Sequence, residues 1–295
     1  MEDLPLMWKP FGLVDDSLLG DGGVSGGVGV SEKLYEDSMD IHPSAVISPG
    51  AELSPGVKIG PYSHIGEHVT IGRDTTVGAH VVIEGVTRIG ERNNIYHFSS
   101  IGSAPQDIAY KGEPTELIIG DDNTIREYVT VNRATTKEEW KTRIGNNNYI
   151  MAYAHIAHDC VLGDRVIMSN VATLGGHIRI GSGAIIGGLV AIHQFVRIGD
   201  FAFLGAKSGV DRDVPPFMMT AGPRAKLYGV NRKGLSRMGM SRERIDGLKK
   251  AYQIIWRDHV RFTEGIARVR EEIPLFPELE LLLDFFNGSK RGILR

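Results

Sequence analysis

A period of six constrains this chain more than any other feature. Every sixth residue is aliphatic from Ile47 through Leu53, Ile59, Ile65, Ile71, Val77, Ile83, Ile89 and Ile95 to Ile101. The phase returns at Ile119, Ile125 and Val131, shifts by one, and runs again from Ile144 to Val210. A helix repeats every 3.6 residues and a plain strand every 2, so neither accommodates this pattern. A short strand followed by a tight corner does. Three such units close a triangular coil of 18 residues, and each inward aliphatic stacks on its copy about 4.8 Å away in the next coil. Glycine often follows the aliphatic, as at Gly60, Gly66, Gly72, Gly90, Gly181 and Gly199. There it tolerates unusual backbone angles and close approach. Hexapeptide repeats are a route to a β-helix. The expected fold is mainly β: a left-handed parallel β-helix over 41–212, with a small C-terminal α-helical domain over 213–295.

Two polar segments interrupt the repeat, 102–116 and 132–143, and both read as loops thrown out from the coils. Long loops on a rigid scaffold are where binding function concentrates. After Val210 the period stops, and Pro215-Pro216 marks the break. Ser241 is placed to cap a helix running to about Asp258, with Ile245, Leu248, Tyr252 and Ile255 at helical spacing. Two more helices are expected over 263–273 and 277–287. Between Arg224 and Lys250 the chain carries nine Lys/Arg against Glu243 and Asp246. That excess fits either a solvated helix face or a surface for an acidic partner.

At the other end, residues 1–40 hold nine acidic residues against Lys9 and Lys33, and six of the ten residues from Gly20 to Gly29 are glycine. Such a stretch buries too little apolar surface to offset its ordering entropy and reads as a mobile extension. Its acidity is opposite to that of an intact transit peptide. The chain's net charge of −3 gives no reason to expect a nucleic-acid partner. Its single cysteine, Cys160, cannot form an internal disulfide and fits a reducing compartment. No apolar run is long enough to span a membrane as a helix.

The 18-residue coil places the histidines. His158 stacks under Gly176, which stacks under Gln194; Asp159 stacks under His177; His193 adjoins Gln194. His155 lies three positions before His158 on the same coil. A histidine cluster can hold a metal, and some β-helices of this type resemble carbonic anhydrases, but those pair histidines five apart on one turn. Here the close pair is three apart, and no metal is expected. General base catalysis suits the cluster better. An imidazole titrates near neutrality and can take a hydroxyl proton. A carboxylate beside it fixes the ring and stabilises the cation formed. His158-Asp159 supplies both, provided a corner brings adjacent side chains together. The Gly176 amide could then meet a developing oxyanion.

These residues carry a specific resemblance. The run His155-Ile156-Ala157-His158-Asp159-Cys160, with Gly175-Gly176-His177 and His193-Gln194-Phe195, resembles the UDP-N-acetylglucosamine O-acyltransferases of lipid A biosynthesis. So do Gln106-Asp107, Tyr110 and Gly112-Glu113-Pro114-Thr115 in the first loop, Asp213-Val214-Pro215-Pro216, Gly229-Val230-Asn231, Gly234-Leu235 and the terminal Arg291-Gly292-Ile293-Leu294-Arg295. The resemblance implies transfer of a 3-hydroxyacyl chain from acyl carrier protein to the 3-hydroxyl of UDP-N-acetylglucosamine. It makes His158 the base, Asp159 its orienting partner and Gly176 the oxyanion donor. Asp107, His155, His177 and His193 would contact sugar or phosphates, Gln194 the acyl or pantetheine arm, and Asn231 and Arg237 the nucleotide end. Ala206 would close the acyl groove, its small side chain implying a medium-to-long chain. The resemblance also implies a cytoplasmic homotrimer with sites between parallel β-helices, or an organelle-matrix enzyme in a eukaryote. No cofactor is implied beyond the phosphopantetheine on the carrier. Two departures stand out. Ala109 replaces a lysine common in the first loop, with Lys111 the nearest substitute, and Met238 replaces a second arginine after Arg237. The rivals are a related N-acyltransferase, which carries a uridine-binding domain ahead of its coils, an acetyl-CoA-dependent member, and a non-catalytic β-helix subunit.

Overall fold

The computed structural model describes residues 38–295, so the extension read over 1–40 lies outside the described residues as far as residue 37. The first strand, Asp40–Ile41, opens a left-handed parallel β-helix whose three walls are sheets of 11, 9 and 8 strands. Most strands are two residues long, and from Lys58–Ile59 onward each of these buries its second residue, as in Tyr149–Ile150 and His155–Ile156. Down one wall Ile59, Val77, Ile95, Ile125, Ile150, Met168, Ile186 and Leu204 stack in direct register. Each is 2% exposed or less. Burying one such side chain is worth about 1.5–3 kcal/mol before ordering entropy is charged against it. The stack therefore fixes the register with little help from any single residue.

Within the coils up to Val210, register partners are 18 residues apart except at the two steps that cross the excursions. Ile95 pairs with Ile125 and Ile125 with Ile150, steps of 30 and 25. The excess is two excursions, 104–115 and 133–140, somewhat tighter than the loops expected from the sequence. They brace each other. Arg133 donates from Nη1 to Gly102 O at 2.8 Å and from Nε to the Tyr110 hydroxyl at 3.1 Å, while Asn132 Nδ2 donates to Ala104 O at 2.9 Å.

The corners depart from the sequence expectation. Gly60 and Gly72 have ordinary backbone angles, but an added Cβ would sit 2.7 and 2.6 Å from the carbonyl carbon of the glycine one coil on. Close approach is what requires glycine there. The left-handed corner conformation is taken by other residues, among them Tyr153, Asp159, His177 and Phe195, with φ of 62°, 61°, 64° and 65°. Such angles are uncommon for residues with a Cβ, and the stacking of successive coils holds them.

Phe217, fully buried, closes the last coil, and strands Met218–Ala221 and Lys226–Val230 form an antiparallel hairpin on the longest sheet. The 213–295 segment thus begins as sheet. Helix α1 spans Arg232–Arg237, α2 Arg242–Trp256, α3 Phe262–Glu272 and α4 Pro277–Phe285. The Ser241 hydroxyl caps α2 by accepting from Arg244 N, and Ile245, Leu248, Tyr252 and Ile255 are buried. The tail returns to the coils through Asp213, 1% exposed. Its carboxylate accepts from Arg197 Nε at 2.9 Å and from the Ser289 hydroxyl at 2.8 Å.

Candidate active site

The left-handed corner at Asp159 decides the geometry around it. Adjacent residues of a strand point apart, but this corner folds the Asp159 side chain back onto its neighbour, and His158 Nδ1–H donates to Asp159 Oδ2 at 2.8 Å. Both are buried, at 7% and 2% exposure. Burial alone would raise the Asp159 carboxyl. The hydrogen bonds from His158 and from the hydroxyl and amide of Thr135 outweigh that and hold it below the usual carboxylate range. Asp159 is therefore an anion at neutral pH. The bond from His158 engages Nδ1 and leaves Nε2 as the ring nitrogen without a hydrogen-bond partner among the described residues.

One coil on, Gly176 lies against that ring. A Cβ placed there would be 2.5 Å from His158 Cε1 and 2.8 Å from Nε2. Among the described residues nothing accepts a hydrogen bond from the Gly176 N–H. The imidazole thus packs against a glycine whose amide donor is free. His177, at the next corner, stacks on Phe195 with ring centroids 4.3 Å apart and meets His158 edge-on at 5.1 Å. Its Nε2 is 3.8 Å from Asp159 Oδ2 and its Nδ1 3.6 Å from Glu138 Oε2.

His158, Asp159 and His177 offer three potential ligand atoms within 4.8 Å of one another. A tetrahedral ion with bonds of about 2.0–2.1 Å would hold neighbouring ligand atoms roughly 3.3 Å apart. The 2.8 Å separation of His158 Nδ1 and Asp159 Oδ2 is a hydrogen-bond distance, with a proton between the two atoms. The residues fit a dyad better than a metal site.

Residues 213–294 match the model described as UDP-N-acetylglucosamine O-acyltransferase, domain 2, and residues 39–73, 50–85 and 141–176 match the bacterial transferase hexapeptide model. A relative from Thermodesulfovibrio yellowstonii, named acyl-[acyl-carrier-protein]–UDP-N-acetylglucosamine O-acyltransferase, is 56% identical over 73% of this chain and 84% of its own. One of the same name from Thiobacillus denitrificans is 51% identical over 69% and 79%. The solved LpxA structure from Acinetobacter baumannii superposes with a TM-score of 0.84 at 42% identity, covering 86% of this chain and 99% of that one. The chain belongs to the UDP-N-acetylglucosamine O-acyltransferase family.

Within this O-acyltransferase the remaining expected residues fall into two groups. His155, one strand before the dyad, shares a 2.7 Å hydrogen bond between Nδ1 and Thr130 Oγ1. Burial, followed by the neighbouring His158, lowers its pKa, so it stays neutral near pH 7. Asp107 accepts from Lys137 Nζ at 2.5 Å and from Ala109 N at 2.9 Å, which pulls its carboxyl down. The cation beside Asp107 is thus Lys137. The Lys111 backbone N–H donates to Glu113 Oε2. His193 and Gln194 are exposed. His193 Nδ1 lies 3.0 Å from Arg291 Nη2 and 3.2 Å from the Gln194 carbonyl oxygen.

Asn231 and Arg237 stand apart from the dyad. Asn231 Oδ1 caps α1 by accepting from Gly234 N, and its Nδ2 donates to Phe201 O. Arg237 is exposed at the end of α1. No contact within the described residues joins either to His158, Asp159 or His177. Ala206 is exposed, with its backbone nitrogen 2.7 Å from where a Cβ on Gly187 would lie. Sequence reasoning missed Thr135, Lys137 and Glu138. All three lie in or beside the second excursion, where the hexad period that placed the histidines does not run.

Proposed function

We propose that this enzyme transfers a 3-hydroxyacyl group from acyl carrier protein to the 3-hydroxyl of UDP-N-acetylglucosamine, the first step of lipid A biosynthesis. The observation that carries this reading is the buried His158–Asp159 pair beside the unpartnered Gly176 N–H, in a member of this family. His158 Nε2 takes the proton of the sugar hydroxyl as that oxygen attacks the thioester carbonyl. The carbonyl oxygen gains the negative charge and accepts from Gly176 N–H. Collapse breaks the carbon–sulfur bond, and the leaving thiolate takes the proton back from His158 Nε2. Asp159 holds Nδ1–H throughout and stabilises the imidazolium. Transfer is direct. Burial pushes the Cys160 thiol up to about 12, and Sγ donates to Gly175 O at 3.1 Å, so the only cysteine is no acyl-carrying nucleophile.

Asp107, His155, His177 and His193 then face the sugar and its phosphates, with Gln194 near the pantetheine arm. Asn231 and Arg237 serve the nucleotide from a neighbouring copy in a homotrimer, a reading supported by their lack of contact with the dyad in their own chain. All nine basic residues from Arg224 to Lys250 are exposed, which favours encounter with an acidic carrier protein. The carrier's pantetheine is the only prosthetic group the reaction needs. The enzyme works wherever that carrier is present, in cytoplasm or an organelle matrix. Among the described residues no helix is long and apolar enough to cross a membrane.

The test is turnover of 3-hydroxyacyl-carrier thioesters of several lengths with UDP-N-acetylglucosamine. His158→Ala should abolish transfer while the oligomer remains intact. A His158→Ala protein with parental kcat would overturn the assignment, and selective use of acetyl or butyryl donors would overturn the substrate class.

A further inference from the structure

Asp159 is held by more than its histidine. Its Oδ2 accepts three hydrogen bonds: from His158 Nδ1 at 2.8 Å, from the Thr135 hydroxyl at 2.6 Å and from the Thr135 amide at 3.1 Å. Oδ1 is buried with no partner. The Asp159 amide donates in turn to Thr142 Oγ1 at 2.8 Å. Thr135 is 3% exposed, and its hydroxyl oxygen also accepts from Lys137 N at 3.3 Å. The amide can only donate to that oxygen, so the hydroxyl proton is directed at the carboxylate. A continuous chain results: Lys137 N–H to Thr135 Oγ1–H to Asp159 Oδ2, met from the other side by His158 Nδ1–H.

This arrangement has consequences for the base. A carboxylate with one loaded oxygen and one bare oxygen has an alternative: rotation about its Cβ–Cγ bond would present Oδ1 to His158. Two donors from one residue, fixed by the backbone of the second excursion, oppose that rotation. They also withdraw charge from Oδ2 and so moderate the pull that Asp159 exerts on the His158 proton. Neither effect requires Thr135 to touch substrate.

We infer that Thr135 is a positioning residue of the acyl-transfer reaction, fixing the rotamer and charge of Asp159 and, through it, the orientation and basicity of His158. The inference rests on the acyl-transfer reading above. It makes the second excursion part of the catalytic assembly, since the same short segment sends Lys137 to Asp107 and brings Glu138 near His177.

Thr135→Val is the discriminating change, because it keeps shape and amide and removes only the hydroxyl. Loss of a hydrogen bond to a charged group predicts a fall of about ten-fold in kcat. KM for UDP-N-acetylglucosamine should hold within about two-fold, as expected for a group that does not touch substrate. With Oδ2 less shielded, the acidic limb of the kcat profile should move to higher pH. The other titratable groups around the ring, His155, His177, Glu138, Asp107 and Lys137, are unchanged in this variant. Thr135→Ser should restore both kcat and the limb. A second readout does not depend on turnover: the proton resonance of His158 Nδ1–H should move downfield in Thr135→Val and return in Thr135→Ser. Parental kcat, limb and resonance in a folded Thr135→Val protein would overturn the inference. So would a Thr135→Ser variant as impaired as Thr135→Val. An inactive parent would count against the acyl-transfer reading, while the resonance would still decide the role of Thr135.

Discussion

Gly176→Ala isolates the contact between one coil and the His158 ring on the coil before it. The glycine is not in the left-handed region, so alanine fits its backbone and retains the N–H. The new methyl would lie 2.5 Å from His158 Cε1, whereas ordinary contact begins near 3.4 Å. The ring must therefore retreat by about 0.9 Å, the difference between those distances. It has little room to do so, with Asp159 at 2.8 Å on its Nδ1 side and His177 meeting it edge-on. A misplacement of about 1 Å at a reacting group costs on the order of 100-fold in rate. Overpacking of a buried site costs about 1–3 kcal/mol of stability, too little to unfold a stack of this many coils. The expected result is a folded oligomer whose kcat, measured with a 3-hydroxyacyl-carrier donor, is down about 100-fold. A kcat within three-fold of the parent would show that His158 is not held against Gly176 during turnover, and the oxyanion assignment would fall with it.

Three further outcomes follow from the same geometry. Ala206→Met should shift donor preference toward shorter acyl chains without lowering kcat on the best remaining donor; an unchanged length profile in competition assays would remove Ala206 from the acyl groove. Asp213→Ala removes the carboxylate that Arg197 Nε and the Ser289 hydroxyl donate to, and since Arg197 is 27% exposed and keeps its bonds to the Phe285 and Asn287 carbonyls, the cost should be about 2–3 kcal/mol, below that of a fully buried pair. Denaturant unfolding of the tail would measure it. The pKa of Asp159 is lowered on folding, so its contribution to stability is present above the unfolded value of about 3.9 and is lost as pH falls through the lower folded value. Asp159→Asn should therefore flatten the acid end of the stability curve, and equal slopes below pH 4 in the two proteins would contradict it.

The fold was legible in the sequence because its signal is local and repeated. Each hexad buries one aliphatic, and no distant pairing has to be guessed. The histidine placements followed from the 18-residue step because His158, Gly176 and Gln194 all lie beyond both excursions, where the count runs uninterrupted. Glycine was read only in part. Its absence of side chain matters at Gly60 and Gly72, but the corners themselves belong to residues such as Asp159 and His177. Helix α1 escaped notice because six residues centred on Gly234 carry no amphipathic period. Thr135, Lys137 and Glu138 were invisible for a related reason. They sit in a polar excursion where only the three-dimensional path brings them to Asp159, Asp107 and His177.

If Ala206 closes the acyl groove as proposed, the uninterrupted stacking beyond the second excursion gives acyl selection a granularity. His158 and Ala206 belong to a lattice whose spacing is one coil, about 4.8 Å. A residue that ends the groove can be moved along a wall only in whole coils, each worth several methylene groups, while finer adjustment must come from side-chain size at a fixed rung. Selectivity in such an enzyme is digital in its coarse setting and analogue in its fine one, and chain-length preferences among relatives should fall into clusters.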